Sequence, residues 1–541
     1  MQLEKLYPFD IETFPGVFTC YIGNASTRKC WGVEISDRRD ERDKFFTIIK
    51  KLRSEGAYMV GYNNLSFDYP IVHHMMKNPE FTVYEIYELA QDIIDSQNTE
   101  DKFKYQIPHW KRIVPQIDLF KINHFDNNAK ATSLKLLEFN MRSDDIQDLP
   151  YKPGTYLTYD QIDNLYRYNK YDIKETCEFL QYNLGKIEFR ENLSEKYDMD
   201  FMNHNDTKIG KDYFIMRLEQ EIPGSCFKKV DGKKKPNQTK RTEIDLGDCL
   251  FDYIDFERPE FDAVVEWLKK QKIKDTKGVF TDIKEHELGD LKKYAKLRKK
   301  SQKLKKEPTQ KDIDKYKKEN PSCFIETREL KSGKTVYYLC WNVADNLNTI
   351  IDGFQYDFGT GGLHGAKEKV ILESDENRVI KSWDFASFYP NLCITNKIYP
   401  EHLGELFYEI YEDVYYQRKE WPKGTDENAM LKLALNGVFG DSNNPYSPFF
   451  DSKFTMMITI NGQLTLCMLV EKLLKVPTLE IVMVNTDGLE YIVDREYEEL
   501  ADNICSKFEK LTQIPLEGGT YKKLCIYSVN AYIGELYDEN D

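Results

Sequence analysis

At 541 residues the chain is too long for a single hydrophobic core and divides into several domains. With 41% hydrophobic residues, 36 Tyr and 31 Phe against 31% charged residues, it can build large cores, which excludes a disordered protein. A net charge of −15 excludes attraction to a polyanion through the overall field, though not through a local basic groove.

Residues 1–190 alternate short apolar strands with helices. Phe9-Asp10-Ile11-Glu12-Thr13 closes the first strand, and because side chains alternate along a strand, Asp10 and Glu12 share a face and can reach one metal pair. Gly61-Tyr62-Asn63-Asn64-Leu65-Ser66-Phe67-Asp68 follows the apolar end of a second strand. Ile117-Asp118-Leu119 ends another, where Asp118 reads as a turn or core-edge residue rather than a ligand. Tyr168 and Asp172 lie in a helical stretch. Residues 191–350 are rich in Lys and Glu, with helical stretches around 259–273 and 289–319 and no acidic motif, and read as a linker and accessory region. Basic tracts at 228–241 and 292–306 offer either solvated faces or phosphate contacts.

The segment Phe358-Gly359-Thr360-Gly361-Gly362-Leu363-His364-Gly365 opens the C-terminal half, and its glycines let backbone approach a ligand closely. Asp384-Phe385-Ala386-Ser387-Phe388-Tyr389-Pro390 follows an apolar strand. Residues 402–420 and 427–441 read as two antiparallel helices, the first ending in Arg418 and Lys419, the second carrying Lys432, Asn436, Gly437 and Gly440. Arg418 and Lys419 read equally as part of a triphosphate grip or as an exposed basic helix end. Asn485-Thr486-Asp487-Gly488 follows another strand, and Tyr521-Lys522-Lys523 leads into a last one over 524–533. Two strand-borne carboxylates can clamp two divalent metals about 3.5–4 Å apart, while a helix lysine between them neutralises a triphosphate, which is what nucleotidyl transfer requires. Each segment alone is also a common strand end or loop tetrapeptide; their order carries the argument.

The three C-terminal segments resemble, in order, the D-x-x-S-L-Y-P, K-x-x-x-N-S-x-Y-G and D-T-D-S motifs of the family B DNA polymerases, in particular compact viral or phage members. The N-terminal trio resembles the motifs of the DEDDy 3′–5′ exonucleases that proofread for them. The resemblance implies an α/β and α+β multidomain protein: an RNase H-like exonuclease domain (1–190), the accessory region (191–350), and a polymerase palm (351–401 and 456–541) interrupted by short helical fingers (402–455). It implies Asp10, Glu12, Asp68 and Asp172 as ligands of one Mg2+ or Mn2+ pair, with Tyr168 orienting the attacking water. Asn63 and Phe67 would border a single-stranded primer end, where aromatic faces stack on bases. Asp384, Asp487 and the carbonyl of Phe385 would hold a second metal pair. Ser387, Phe388, Arg418, Lys432 and Asn436 would bind the incoming dNTP, with Tyr389 beneath its sugar, selecting deoxyribose. Gly361, Gly362, Gly437, Gly440, Lys522 and Lys523 would meet the DNA primer–template.

Two departures stand out: Asn485 and Gly488 occupy the first Asp and the Ser of D-T-D-S, and the chain is expected to lack the family's C-terminal thumb, so that a separate thumb or processivity factor is an expected partner. The short spacing from Asp384 to Lys432 favours ordinary primer extension over protein priming. The competing readings are an exonuclease whose polymerase half extends poorly, and a non-catalytic DNA-binding replication factor. Eleven scattered cysteines with no C-x-x-C point away from zinc or iron–sulfur sites and toward a reducing compartment. No signal peptide and no apolar run of membrane-spanning length is evident, so a cytoplasmic protein, in a bacterial host if phage-encoded, with no membrane partner is expected.

Overall fold

The computed structural model describes residues 2–97, 99, 101, 103–127 and 130–537. The chain is mixed α/β and forms two compact units, Met1–Ile209 with Gly424–Met430, and Gly210–Lys423 with Leu431–Asp541.

The first unit is built on β1 (Leu6–Phe14), β2 (Val17–Gly23), β3 (Cys30–Ser36), β4 (Tyr58–Gly61) and β5 (Gln116–Asp118). Their order is β3-β2-β1-β4-β5, with antiparallel pairing from β1 to β3 and parallel pairing of β4 to β1 and of β5 to β4. Every residue of β2 is buried, as its run of β-branched and aromatic side chains requires. Around the sheet lie α1 (Arg42–Ser54), α2 (Asp68–Lys77), α3 (Val83–Ser96), α4 (Leu119–Ile122), α5 (Leu134–Met141), α6 (Tyr159–Gln181) and α7 (Leu184–Tyr197). Capping boxes start α3, through Thr82 and Glu85, and α6, through Thr158 and Gln161, each satisfying orphan amides of the first turn. α6 packs on β1 and β2, and this brings its buried face to the acidic end of β1.

The unit boundary falls within α8 (Asp206–Glu221). The second unit continues through a lysine-rich hairpin of β6 (Phe227–Val230) and β7 (Lys233–Pro236), the short pair β8 (Ile244–Asp245) and β9 (Lys272–Ile273), and α9 (Pro259–Leu268). Its main sheet uses β10 (Thr281–Lys284), β11 (Arg298–Lys303), β12 (Phe324–Glu329), β13 (Thr335–Ile351), β14 (Phe354–Phe358), β15 (Leu363–Ala366), β16 (Val370–Glu373), β17 (Arg378–Phe385), β18 (Glu480–Asn485), β19 (Gly488–Asp494), β20 (Leu516–Ser528) and β21 (Ala531–Leu536). The order is β10-β13-β14-β15-β18-β19-β17-β20-β16, with β11 and β12 also on β13 and β21 on β20. Its helices are α10 (Gln310–Glu319), α11 (Phe388–Asn396), α12 (Leu406–Glu420), the part of α13 (Asp426–Asp441) from Leu431 onward, α14 (Ser452–Leu473) and α15 (Glu498–Thr512).

The structure departs from the sequence expectations at several elements. Within the segment 191–350, the 17-residue strand β13 runs from the pairings with β11 and β12 straight into the sheet that carries Asp384. Of the helix expected over 289–319, a 3-10 turn (Gly289–Lys293) and α10 form, and Arg298–Lys303 between them is a strand. Its exposed lysines are the charge pattern by which edge-type strands resist further pairing. Finally, α14 is long and apolar enough to cross a membrane by composition. Nearly all of it is buried in the protein, however, against α11, α15 and the short turn Gly247–Cys249 in the main core of this unit, and a core helix is apolar all round for that reason. The last expected strand, 524–533, is a hairpin of β20 and β21 turning at Val529–Asn530.

Candidate active sites

The first site lies where β1 meets α6. Asp10, Glu12 and Asp172 present oxygens that all lie within 4.8 Å of one another. Asn169, one turn before Asp172 on α6, donates to Asp10 Oδ2 at 2.6 Å and accepts from Thr19 Oγ1 at 3.4 Å, which fixes the Asp10 carboxylate. Burial, together with the charges of Asp68 and Asp172, holds the Asp10 and Glu12 carboxyls well above the usual carboxylate range. Asp68, the first residue of α2, stands outside that trio of atoms and, like Asp172, is buried. Its carboxyl is pushed up to about 7 by desolvation, with amide hydrogen bonds only partly offsetting it. Tyr168 is buried beside Asp172.

Sequence reasoning missed Lys135. Its Nζ lies 2.9 Å from Asp172 Oδ1, 3.2 Å from Glu138 Oε1 and 5.0 Å above the Tyr168 ring, so it links the acid to the tyrosine and partly offsets the clustered negative charge. Nothing in Ser133-Leu134-Lys135 announces this; α5 and α6 create the contact by packing. The loop carrying Asn63 and Phe67 is tied down by Asp118, which accepts from the amides of Asn63 (3.0 Å) and Leu65 (3.1 Å) and caps α4 through Phe120 (3.0 Å). Asp118 is therefore an organiser of the loop. Asn63, in the left-handed region at φ 61°, and Phe67 both stay half-exposed.

The second site is a cross-strand row. His364 on β15 faces Asn485, Asn485 faces Gly488, Gly488 faces Asp384, and Asp384 faces Glu517. Directly opposed residues project on the same side of a sheet, so this row lies on one face while Phe385 and Leu489 point into the core beneath. Asp487 sits in the two-residue turn between β18 and β19, its carbonyl accepting from Phe385 N at 2.8 Å. Thr486 in the same turn adopts φ 60°, unusual for a β-branched residue. Gly362 makes room for it: a Cβ there would stand 2.9 Å from the Thr486 Cγ2 and Oγ1. Asp384 keeps solvent access, yet partial burial and the charges of Asp487 and Glu517 push its carboxyl up to about 6.

Glu490, two residues along β19 from Gly488 and opposite Ser382, was not anticipated. It is 5% exposed, one of its oxygens has no partner among the described residues, and burial and the Asp384 charge push it up to about 8. Strand parity with Gly488 is the signal that could have found it.

Ser387 precedes α11 in the left-handed region at φ 47°, and Arg418 Nη1 donates to its Oγ at 3.1 Å. Lys419 instead lies over the Tyr415 ring at 4.3 Å. Tyr389 donates its hydroxyl to the Gly361 carbonyl at 2.6 Å, and its ring lies 4.4 Å from Phe439 and 5.7 Å from Phe388. Lys432 and Asn436, four apart, share an exposed face of α13 with Gly440, whereas Gly437 is buried. Lys522 and Lys523 on β20 are ion-paired, with Glu535 at 3.0 Å and Glu373 at 2.6 Å.

Both donor sets are hard carboxylate oxygens crowded by like charge, which suits Mg2+ or Mn2+. A stability prediction follows. Because Asp68 and Asp384 hold protons up to about 7 and about 6 in the fold against 3.8 ordinarily, metal-free stability should fall as pH rises from about 4 to about 7. Added Mg2+ should raise Tm, and more at pH 8 than at pH 5, since it binds the ionised carboxylates. Melting curves with and without chelator check this; a metal shift that is absent or larger at pH 5 would contradict it.

No protein-family model and no curated protein matches the chain. Among solved structures it is similar to the family B DNA polymerase from the hyperthermophilic archaeon Pyrobaculum calidifontis, with 12% identity and a TM-score of 0.45 over 98% of this chain and 59% of that one. The chain thus spans about 59% of that polymerase's length, and at this TM-score the likeness adds no weight to either site.

Proposed function

We propose that the chain is a DNA-directed DNA polymerase of the family B type with a 3′–5′ exonuclease, each activity having its own carboxylate-held metal pair. The observation that supports this most is the presence of two separate carboxylate clusters, Asp10, Glu12 and Asp172 in the first unit and Asp384 with Asp487 in the second, each embedded in the matching motif.

In this reading Asp10, Glu12, Asp68 and Asp172 hold one metal pair, and Asp384, Asp487 and the Phe385 carbonyl the other. Divalent metals there would activate the attacking oxygen and neutralise charge on the phosphoryl group. Ser387 and the first amides of α11 receive the triphosphate oxygens, as helix N-termini do, and Arg418 and Lys432 offset their charge. Tyr389, fixed through Gly361 and Phe439, forms the floor beneath the sugar and leaves no room for a 2′-hydroxyl. In the first unit Tyr168 orients the attacking water and Lys135 steadies Asp172 against its neighbours. Asn63 and Phe67 receive the unpaired primer end.

A labelled primer annealed to a longer template, incubated with Mg2+ with and without dNTPs, tests the proposal. Extension with dNTPs and stepwise 3′ shortening without them is the expected pattern. Shortening alone would leave only the exonuclease, and neither product would overturn the reading.

A further inference from the structure

A polar cavity of about 300 Å³ opens in the first unit behind the loop that carries Asn63, Phe67 and Asp68, with Leu65 in its wall. Neither acidic site uses it. Arg112, Lys121 and Lys208 line it, with Asp126 and Asp200. The two carboxylates are exposed, and Asp200 lies 3.7 Å from His109 Nδ1, whereas Arg112 and Lys121 are half-buried. Arg112 and Lys121 are therefore less exposed than the acids, whereas Lys208 is exposed as they are.

Arg112 spends its Nε on the Ile107 carbonyl at 3.1 Å, and no described carboxylate forms an ion pair with Arg112 or Lys121. Burial pulls the Arg112 guanidinium below its ordinary value, with Asp200 only partly opposing. The charge of Asp118 acts on both Arg112 and Lys121, but its oxygens are taken up by the amides of Asn63, Leu65 and Phe120, and the cavity's own acids are exposed, so a half-buried guanidinium and ammonium lining one cavity suit a planar or tetrahedral oxyanion.

We infer that this cavity binds a phosphate group, either of a free nucleotide or of a DNA strand, through Arg112 and Lys121. The occupant would also act on the loop. Asp118 accepts from the amides of Leu65 (3.1 Å) and Lys121 (3.4 Å), so the cavity wall and the loop bearing Asp68 share one anchor, and binding would stiffen the segment that borders the first acidic site. The inference does not depend on the chemistry assigned to either site.

The test is calorimetric titration of the full chain in chelator, which keeps metal-bound phosphate out of the signal, with inorganic phosphate, dTMP and a short oligo-dT. Lys121→Gln, a change at a half-exposed side chain, and Arg112→Gln should each weaken binding of at least one probe by about tenfold or more, the loss expected for one charge-assisted contact, while Arg112→Lys should retain more affinity than Arg112→Gln. Variant-sensitive binding of phosphate and dTMP identifies a free phosphate as ligand; variant-sensitive binding of oligo-dT alone identifies a strand. If Arg112→Gln fails to fold, Lys121→Gln decides. No saturable binding, or binding equal in wild type and Lys121→Gln, would overturn the inference.

Discussion

Alanine at Asp384 or Asp487 should lower primer extension by at least about 10³-fold, roughly 4 kcal/mol of lost transition-state stabilisation, and leave 3′–5′ degradation intact. The reason is local. Asp384 stands in the cross-strand row beside Gly488, and Asp487 sits in the adjoining turn, its carbonyl tied to Phe385 N; no other described side chain on that face occupies either position. The reverse pair, Asp10→Ala with Glu12→Ala, removes two of the three clustered carboxylates of the first unit and should abolish degradation while extension persists. Single-turnover rates for both reactions on both variants check this. Joint loss in a folded Asp10/Glu12 variant would show that the clusters are not independent.

Gly488→Ser should be the second most damaging change, although it restores the residue that the family motif carries at this place. A Cβ at 488 would fall 1.6 Å from Asp384 Oδ1 and 2.7 Å from its Cγ, so the Asp384 carboxylate already occupies the space a side chain would need. The carboxylate must then rotate away, and a displacement of an ångström or more at a reacting centre is enough to lose about 10²-fold. Steady-state extension as a function of Mg2+ reads the effect, with the loss greatest at low metal. Wild-type rates and metal dependence in Gly488→Ser would mean that Asp384 has an equally good second position.

What was legible in the sequence is what period and spacing encode. Asp10 and Glu12 share a face because a strand alternates, and Tyr168 and Asp172 share one because a helix returns after four residues. Neither rule reaches Lys135, whose contact with Asp172 spans 37 residues and exists only because α5 packs on α6. Nor does spacing disclose that Gly362 serves the Thr486 turn, since the two flank the neighbouring strands β15 and β18 and lie far apart in the chain. The lysine-rich run Arg298–Lys303 reads as helix because lysine is a good helix former. The long strand β13, rich in β-branched and aromatic residues, overrides that preference by offering a ladder of backbone partners.

The central claim, two metal-carboxylate sites with opposed activities on one chain, is tested most directly by supplying an annealed primer–template, Mg2+ and only the next correct dNTP, and following its conversion to dNMP. Insertion by one site and excision by the other should turn over the nucleotide steadily with no net change in primer length, and Asp384→Ala or the Asp10→Ala, Glu12→Ala pair should each stop it. No dNMP from the wild-type chain, or turnover that survives either change, would contradict the account.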